Sequence, residues 1–161
     1  MKNERKHARA SFYLLTLGCP KNVVDSEGMS EMLLNAHYHT TTTPTNADVL
    51  IVNTCGFLQA AKDESIGALQ ELAAQKQPGQ LLIAAGCMAQ RFGQQLTREV
   101  NGLDGVIGTR SWPDIVPFIK KLRTTRRARQ NQFIIYQKQE IRRLRPLPSA
   151  ATPSPIEPAP I

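Results

Sequence analysis

The stretch Phe12-Tyr13-Leu14-Leu15-Thr16-Leu17-Gly18-Cys19-Pro20-Lys21-Asn22 carries an apolar run into a glycine and a cysteine, and then into a segment of helical pattern beginning near Val23. A short apolar run bounded by turn formers has the length of a buried strand. The same order recurs twice. Val49-Leu50-Ile51-Val52 leads into Asn53-Thr54-Cys55-Gly56, and Leu81-Leu82-Ile83-Ala84-Ala85 leads into Gly86-Cys87. All three cysteines of the chain therefore stand at the ends of expected strands, each beside a glycine. Glycine makes up about 7% of average sequence, so chance gives one cysteine a glycine neighbour with odds of about 0.14 and all three with odds of about three in a thousand.

Between these units the pattern turns helical. Asn22 or Asp25 can cap a helix reaching about Asn35, with Val24, Met29, Met32, Leu33 and Ala36 on one apolar face. Tyr38 to Thr43 reads as a short edge strand. From about Phe57 to Gln75 a second helix presents Ile66, Leu69, Leu72 and Ala73, and Pro78-Gly79 ends it. A short helix from about Ala89 to Glu99, a strand at Val106-Ile107 and a last helix from Pro113 to about Leu122 complete the series.

Strands alternating with helices predict an α/β fold, an open and mostly parallel sheet flanked by helices in the Rossmann-like manner. Parallel strands end at one edge, and ligands in such folds bind outside the carboxyl ends of the strands. Cys19, Cys55 and Cys87, separated by 36 and 32 residues, should then converge. No GxGxxG or Walker loop follows any strand, which weakens a conventional nucleotide site.

The 161 residues carry 20 Lys+Arg against 13 Asp+Glu, a net charge of +7. The excess is local. Ten basic residues fall between Lys120 and Arg145 with only Glu140 against them, whereas up to Phe118 ten basic residues meet eleven acidic ones. From Pro146 onward Pro148, Pro153, Pro155, Pro158 and Pro160 stand among Ala, Ser and Thr, a composition that buries too little apolar surface to fold alone. The expected organisation is a flexible N-terminus over 1–10, one domain over 11–123, and a disordered basic and proline-rich tail over 124–161, in which Phe133 to Tyr136 can form a strand. No apolar run approaches the roughly 18 residues of a membrane span. Lys2, Arg5, Lys6 and Arg9 ahead of Leu17-Gly18-Cys19 resemble a lipoprotein signal, but Phe12 to Leu17 is shorter than the roughly 7 to 15 residues of a signal core. An odd, widely spaced set of cysteines suits a reducing cytoplasm, and no membrane partner is expected.

Thiolates are the soft ligands of zinc and of iron-sulfur clusters. Structural zinc usually takes four ligands, often as close CxxC pairs, and this chain has no such pair. His37 and His39 fall at the strand end opposite the thiols. Three isolated cysteines fit better with a 4Fe-4S cluster that has one iron open to an exchangeable ligand. The alternative is three unrelated buried cysteines in a nucleotide-binding-like fold.

Leu17-Gly18-Cys19-Pro20-Lys21-Asn22, Asp25-Ser26-Glu27, Asn53-Thr54-Cys55-Gly56-Phe57, Ala61-Lys62-Asp63-Glu64-Ser65-Ile66 and Gly86-Cys87-Met88-Ala89-Gln90-Arg91-Phe92 resemble, in order, the N-terminal domain of radical S-adenosylmethionine methylthiotransferases. Pro20-Lys21 and Gly56-Phe57 look like the RimO branch, which modifies an aspartate of the twelfth protein of the small ribosomal subunit. The resemblance implies that Cys19, Cys55 and Cys87 ligate an auxiliary 4Fe-4S cluster that carries or donates the inserted sulfur. It also implies a second cluster, on a CxxxCxxC motif in a following barrel, that reduces S-adenosylmethionine to a radical. No cysteine follows Cys87, so the radical site is expected from elsewhere and this stretch is expected to be inactive alone. Gly28 departs from the family's usual longer residue. The tail departs too, and two accounts of it stand: a truncated or frameshifted product, or a free-standing, non-enzymatic module whose basic tail touches RNA.

Overall fold

A computed structural model describes residues 10–128 and 134–136 of the protein. The chain order is β1 (Ser11–Thr16), α1 (Pro20–Asn35), β2 (His39–Thr40), β3 (Val49–Thr54), α2 (Gln59–Gln75), β4 (Leu81–Gly86), α3 (Cys87–Glu99), β5 (Gly105–Gly108), α4 (Ile115–Ala128) and β6 (Ile134–Tyr136). The strands form one sheet in the order β2-β1-β3-β4-β5-β6, with every neighbouring pair parallel. This is the expected α/β architecture, with β2 at an edge. The expectations for the tail at 129–133 and 137–161, and for the N-terminus at 1–9, lie outside the described residues.

β3 and β4 are buried along their whole length, as continuous apolar runs in a sheet covered on both faces should be. Alternate residues serve opposite layers. Val49, Ile51, Leu81 and Ile83 pack with Met29 and Leu33 of α1 and with Phe118 and Leu122 of α4. Leu50, Val52, Leu82 and Ala84 pack with Leu69 and Leu72 of α2 and with Met88 and Leu96 of α3. The Ile66, Leu69, Leu72, Ala73 stripe of α2 faces this second layer as its spacing predicts.

Helix α1 departs from expectation at both its start and its face. Pro20 occupies the first turn, where its missing N–H costs nothing, and Cys19 is the N-cap, so the helix begins three residues before Val23. Its buried stripe is Asn22, Asp25, Ser26, Met29 and Leu33, while Val24 is 64% exposed and Met32 37% exposed. The inner end of the stripe is polar because it lies over the ends of β1 and β3: Thr16 Oγ1 donates to Ser26 Oγ at 2.7 Å and Asn53 Nδ2 to the same oxygen at 2.9 Å. Gly28 also finds its reason. A Cβ there would collide with the six-membered ring of Trp112, which sits in a 3-10 turn over Trp112–Asp114 ahead of α4. Pro113 falls in that turn, and α4 continues past Leu122 to Ala128.

Candidate functional site

The chain leaves β1, passes through α1 to the edge strand β2, and returns to β3 on the other side of β1. With α1 on one face of the sheet and α2 on the other, the connections diverge between β1 and β3 at their carboxyl ends, the place where open α/β sheets form a ligand crevice. Cys19 follows β1 and Cys55 follows β3, so these two flank that place, and Cys87 follows β4 next door. His39 pairs with Ser11 at the far end of β1, as the sequence predicts, and takes no part.

Each thiol has a different setting. Cys19 is exposed at the start of α1, and its pKa lies below the ordinary cysteine value because the Asn22 N–H hydrogen-bonds to the thiolate, with smaller help from the Lys21 N–H and the Lys21 charge. Cys55 is buried. Its N–H donates to Ser65 Oγ at 3.0 Å, and Ser65 Oγ donates back to the Cys55 carbonyl at 3.1 Å, so one hydroxyl on α2 fixes both ends of the residue. Cys87 is half-buried as the first residue of α3, and its thiol is pushed up by burial. The Lys21 charge pulls it back, and the fields of Cys19 and Cys55 push it further up. The Cys87 sulfur thus lies within electrostatic reach of the other two.

Glycines make the crowding sterically feasible. Gly18, at φ 91°, lies so close to Cys55 that a Cβ would stand 2.7 Å from its Sγ. Gly86, at φ 97°, has Asn53 Oδ1 and the Thr54 backbone where a Cβ would point. A Cβ on Gly56 would press on the Met88 Cα at 3.1 Å, so this glycine lets the turn after β3 lie against the start of α3.

Below the thiols lies a buried polar layer. The Asn22 side chain donates to the carbonyls of Leu17 and Thr54, Asn53 Nδ2 donates to the Asn22 carbonyl at 2.8 Å, and Thr54 Oγ1 donates to Ala85 O across to β4 at 2.5 Å. Sequence reading reached the cysteines and glycines but not this layer. Asn22 reads as a helix cap when it is in fact inside the helix with its amide turned to the core, and Ser65 is an ordinary polar residue in sequence. Their one signal is that both fall within the family-like blocks.

Among the described residues no group of three or more His, Cys, Asp and Glu side chains is drawn together tightly enough to hold a metal ion. The donor set nonetheless suits a larger anionic group. A four-iron cluster is bulky and asks its thiolates to stand farther apart than the ligands of one zinc ion. What the chain offers such a group is three soft thiols, a glycine packed against Cys55, and the amino ends of α1 and α3 at Cys19 and Cys87. Val23 and Val24, soon after Cys19 in the chain, and Phe57 and Leu58, soon after Cys55, are exposed, Phe57 at 83%.

The chain is similar to proteins named "Ribosomal protein uS12 methylthiotransferase RimO". It is 52% identical to that of Herpetosiphon aurantiacus over 101 residues, 63% of this chain and 22% of the relative. It is 47% identical to that of Chloroflexus aurantiacus over 111 residues, 69% of this chain and 24% of the relative. It is 38% identical to that of Roseiflexus castenholzii over 143 residues, 89% of this chain and 28% of the relative. The chain spans about a quarter of the length of the curated relatives it matches. Residues 11–108, from the first residue of β1 to the last of β5, match the family described as "Uncharacterized protein family UPF0004", and the chain belongs to that family as a RimO-like N-terminal domain.

Proposed function

We propose that the domain holds a 4Fe-4S cluster on Cys19, Cys55 and Cys87 and serves as the auxiliary-cluster domain of a cytoplasmic methylthiotransferase whose substrate is an aspartate of the small-subunit ribosomal protein uS12. The observation that carries this reading is the placement of the three thiols at the carboxyl ends of β1, β3 and β4, beside the point where the connections diverge. When bound, the cluster would supply an iron site open to an exchangeable sulfur ligand.

The chain's own residues do the rest. The first turn of α1 gives the Cys19 thiolate its N–H groups, Ser65 fixes the Cys55 backbone, and Gly18, lacking a side chain, lets the turn before Cys19 pack against the Cys55 side chain. The S-adenosylmethionine chemistry belongs to residues outside these 161, because no cysteine follows Cys87. Exposed Phe57, Leu58, Val23 and Val24 would give a separate radical domain an apolar surface to meet next to the thiols. The stretch is inactive alone on this reading, and its basic segment from Lys120 to Arg145 is left for weak contact with RNA.

Anaerobic reconstitution with iron and sulfide tests the proposal. A brown protein with about four irons per chain, lost in Cys55→Ala, is the expected result. Stoichiometric zinc retained by the purified protein, with no cluster formed on reconstitution, would sink it.

A further inference from the structure

We infer that the Asn22 carboxamide is the positioning group that holds the three cysteine-bearing turns in register for a common ligand. The inference rests on the cluster-binding reading for its purpose, but its geometry stands apart from it. Asn22 is fully buried. Its Nδ2 donates to the Leu17 carbonyl at 2.7 Å, which fixes the turn carrying Cys19. The same nitrogen donates to the Thr54 carbonyl at 3.1 Å, the peptide that leads into Cys55. Its Oδ1 accepts from Cys87 Sγ at 3.7 Å. One side chain therefore touches turns that follow three different strands.

The other buried polar groups each hold fewer. Ser65 binds the Cys55 peptide, Asn53 ties β3 to α1, and Thr54 ties β3 to β4 and receives the Ala89 N–H. A carboxamide suits the clasp because it offers two donors to the two carbonyls and an acceptor to the thiol, whereas a carboxylate would set acceptor against acceptor. The backbone of Asn22 serves the same turns: its N–H reaches Cys19 O at 2.9 Å, and its carbonyl is held by Asn53.

The test compares Asn22→Leu, which removes every polar atom at similar size, Asn22→Ser, which shortens the reach, and Ser65→Ala, which loosens one turn only. Iodoacetamide labelling of the metal-free domain at one pH, resolved by peptide mass spectrometry, gives a rate for each cysteine, and thermal melting checks the fold. In the Asn22 variants the Cys55 and Cys87 rates should rise together by about tenfold, the effect of losing one buried hydrogen bond, with iron per chain after reconstitution below half that of the wild type. Ser65→Ala should speed Cys55 alone. Unchanged Cys55 and Cys87 rates in a cooperatively melting Asn22 variant, or a rise at only one of them, overturns the clasp. If neither Asn22 variant melts cooperatively, hydrogen exchange on the wild-type domain decides: clasped turns open together with one protection factor, and unequal protection overturns the inference. A wild-type domain that takes up no iron removes the cluster reading, while the labelling rates still decide the clasp.

Discussion

Cys19 and Cys87 share one sheet edge yet are poised in opposite directions. Cys19, exposed at the start of α1, has its thiolate stabilised first by the Asn22 N–H, so its pKa is lowered. Cys87 has its pKa raised, chiefly by burial. A lowered pKa means that thiolate forms at lower pH, and thiolate is the alkylating form. In the metal-free protein the pH–rate curve for iodoacetamide at Cys19 should rise at lower pH than that at Cys87, and Cys19 should label first at every pH between. Coincident curves would show that the amino end of α1 does not act on the thiol. At the same scale, Gly86 has Asn53 Oδ1 and the Thr54 backbone where a side chain would begin, and its φ of 97° is one that other residues avoid. Gly86→Ala should therefore lower stability by more than the roughly 1 kcal/mol typical of a point mutation, read as a fall in the denaturation midpoint. A variant as stable as the wild type would refute the close packing of β3 against the turn before Cys87.

At the scale of elements, β3 and β4 are the strands on which the site depends, because they carry two of the three thiols and are buried on both faces. Leu82 is fully buried between β4 and the α2–α3 layer. Leu82→Ala should cost about 2–5 kcal/mol in urea denaturation, with a smaller loss meaning that the layer closes over the gap. Helix α1 works differently. Its outer half is anchored by Met29 and Leu33, and its inner half by the hydrogen bonds of Asn22 and Ser26 rather than by apolar contact. That division explains why hydrophobic spacing misassigned Val24 to the buried face. A periodicity of apolar residues finds a buried stripe only where burial is apolar, and the first two turns of α1 bury amide and hydroxyl groups.

Among the described residues, two ionic groups stand at opposite edges of the sheet: Lys21 with Asp25 beside the thiols, and a cluster far from them. The three thiols lie at the carboxyl edge of the sheet, whereas Lys76, Asp104 and Arg126 meet at the opposite edge, with Lys76 Nζ 2.6 Å from Asp104 Oδ2 and Arg126 NH1 2.6 Å from the Gln80 carbonyl. Within the basic segment, Arg126 of α4 thus sits at the edge of the sheet away from the cysteines. If the segment contacts RNA as proposed, removing residues 137–161, which spares β6, should lower RNA affinity and flatten its salt dependence while leaving reconstituted iron unchanged. Equal affinity with and without those residues would end that proposal.

Much of this was legible in sequence for physical reasons. Runs such as Leu81 to Ala85 are apolar on both sides because both faces of a parallel strand are covered, so the α/β class follows from these runs and their alternation with helices, whereas the order of strands in the sheet does not. A cysteine beside glycine at three strand ends identified the edge that matters, since parallel strands share one exit. The amino-acid sequence by itself determined the class of fold, the three thiols and their common edge. Only the tertiary structure decided that Asn22 turns inward to reach all three turns, that Ser65 holds Cys55, and that the thiols differ in exposure and proton affinity. Those properties depend on which groups from distant parts of the chain face one another, and hydrogen bonding across 32 or 65 residues leaves no periodic trace in sequence.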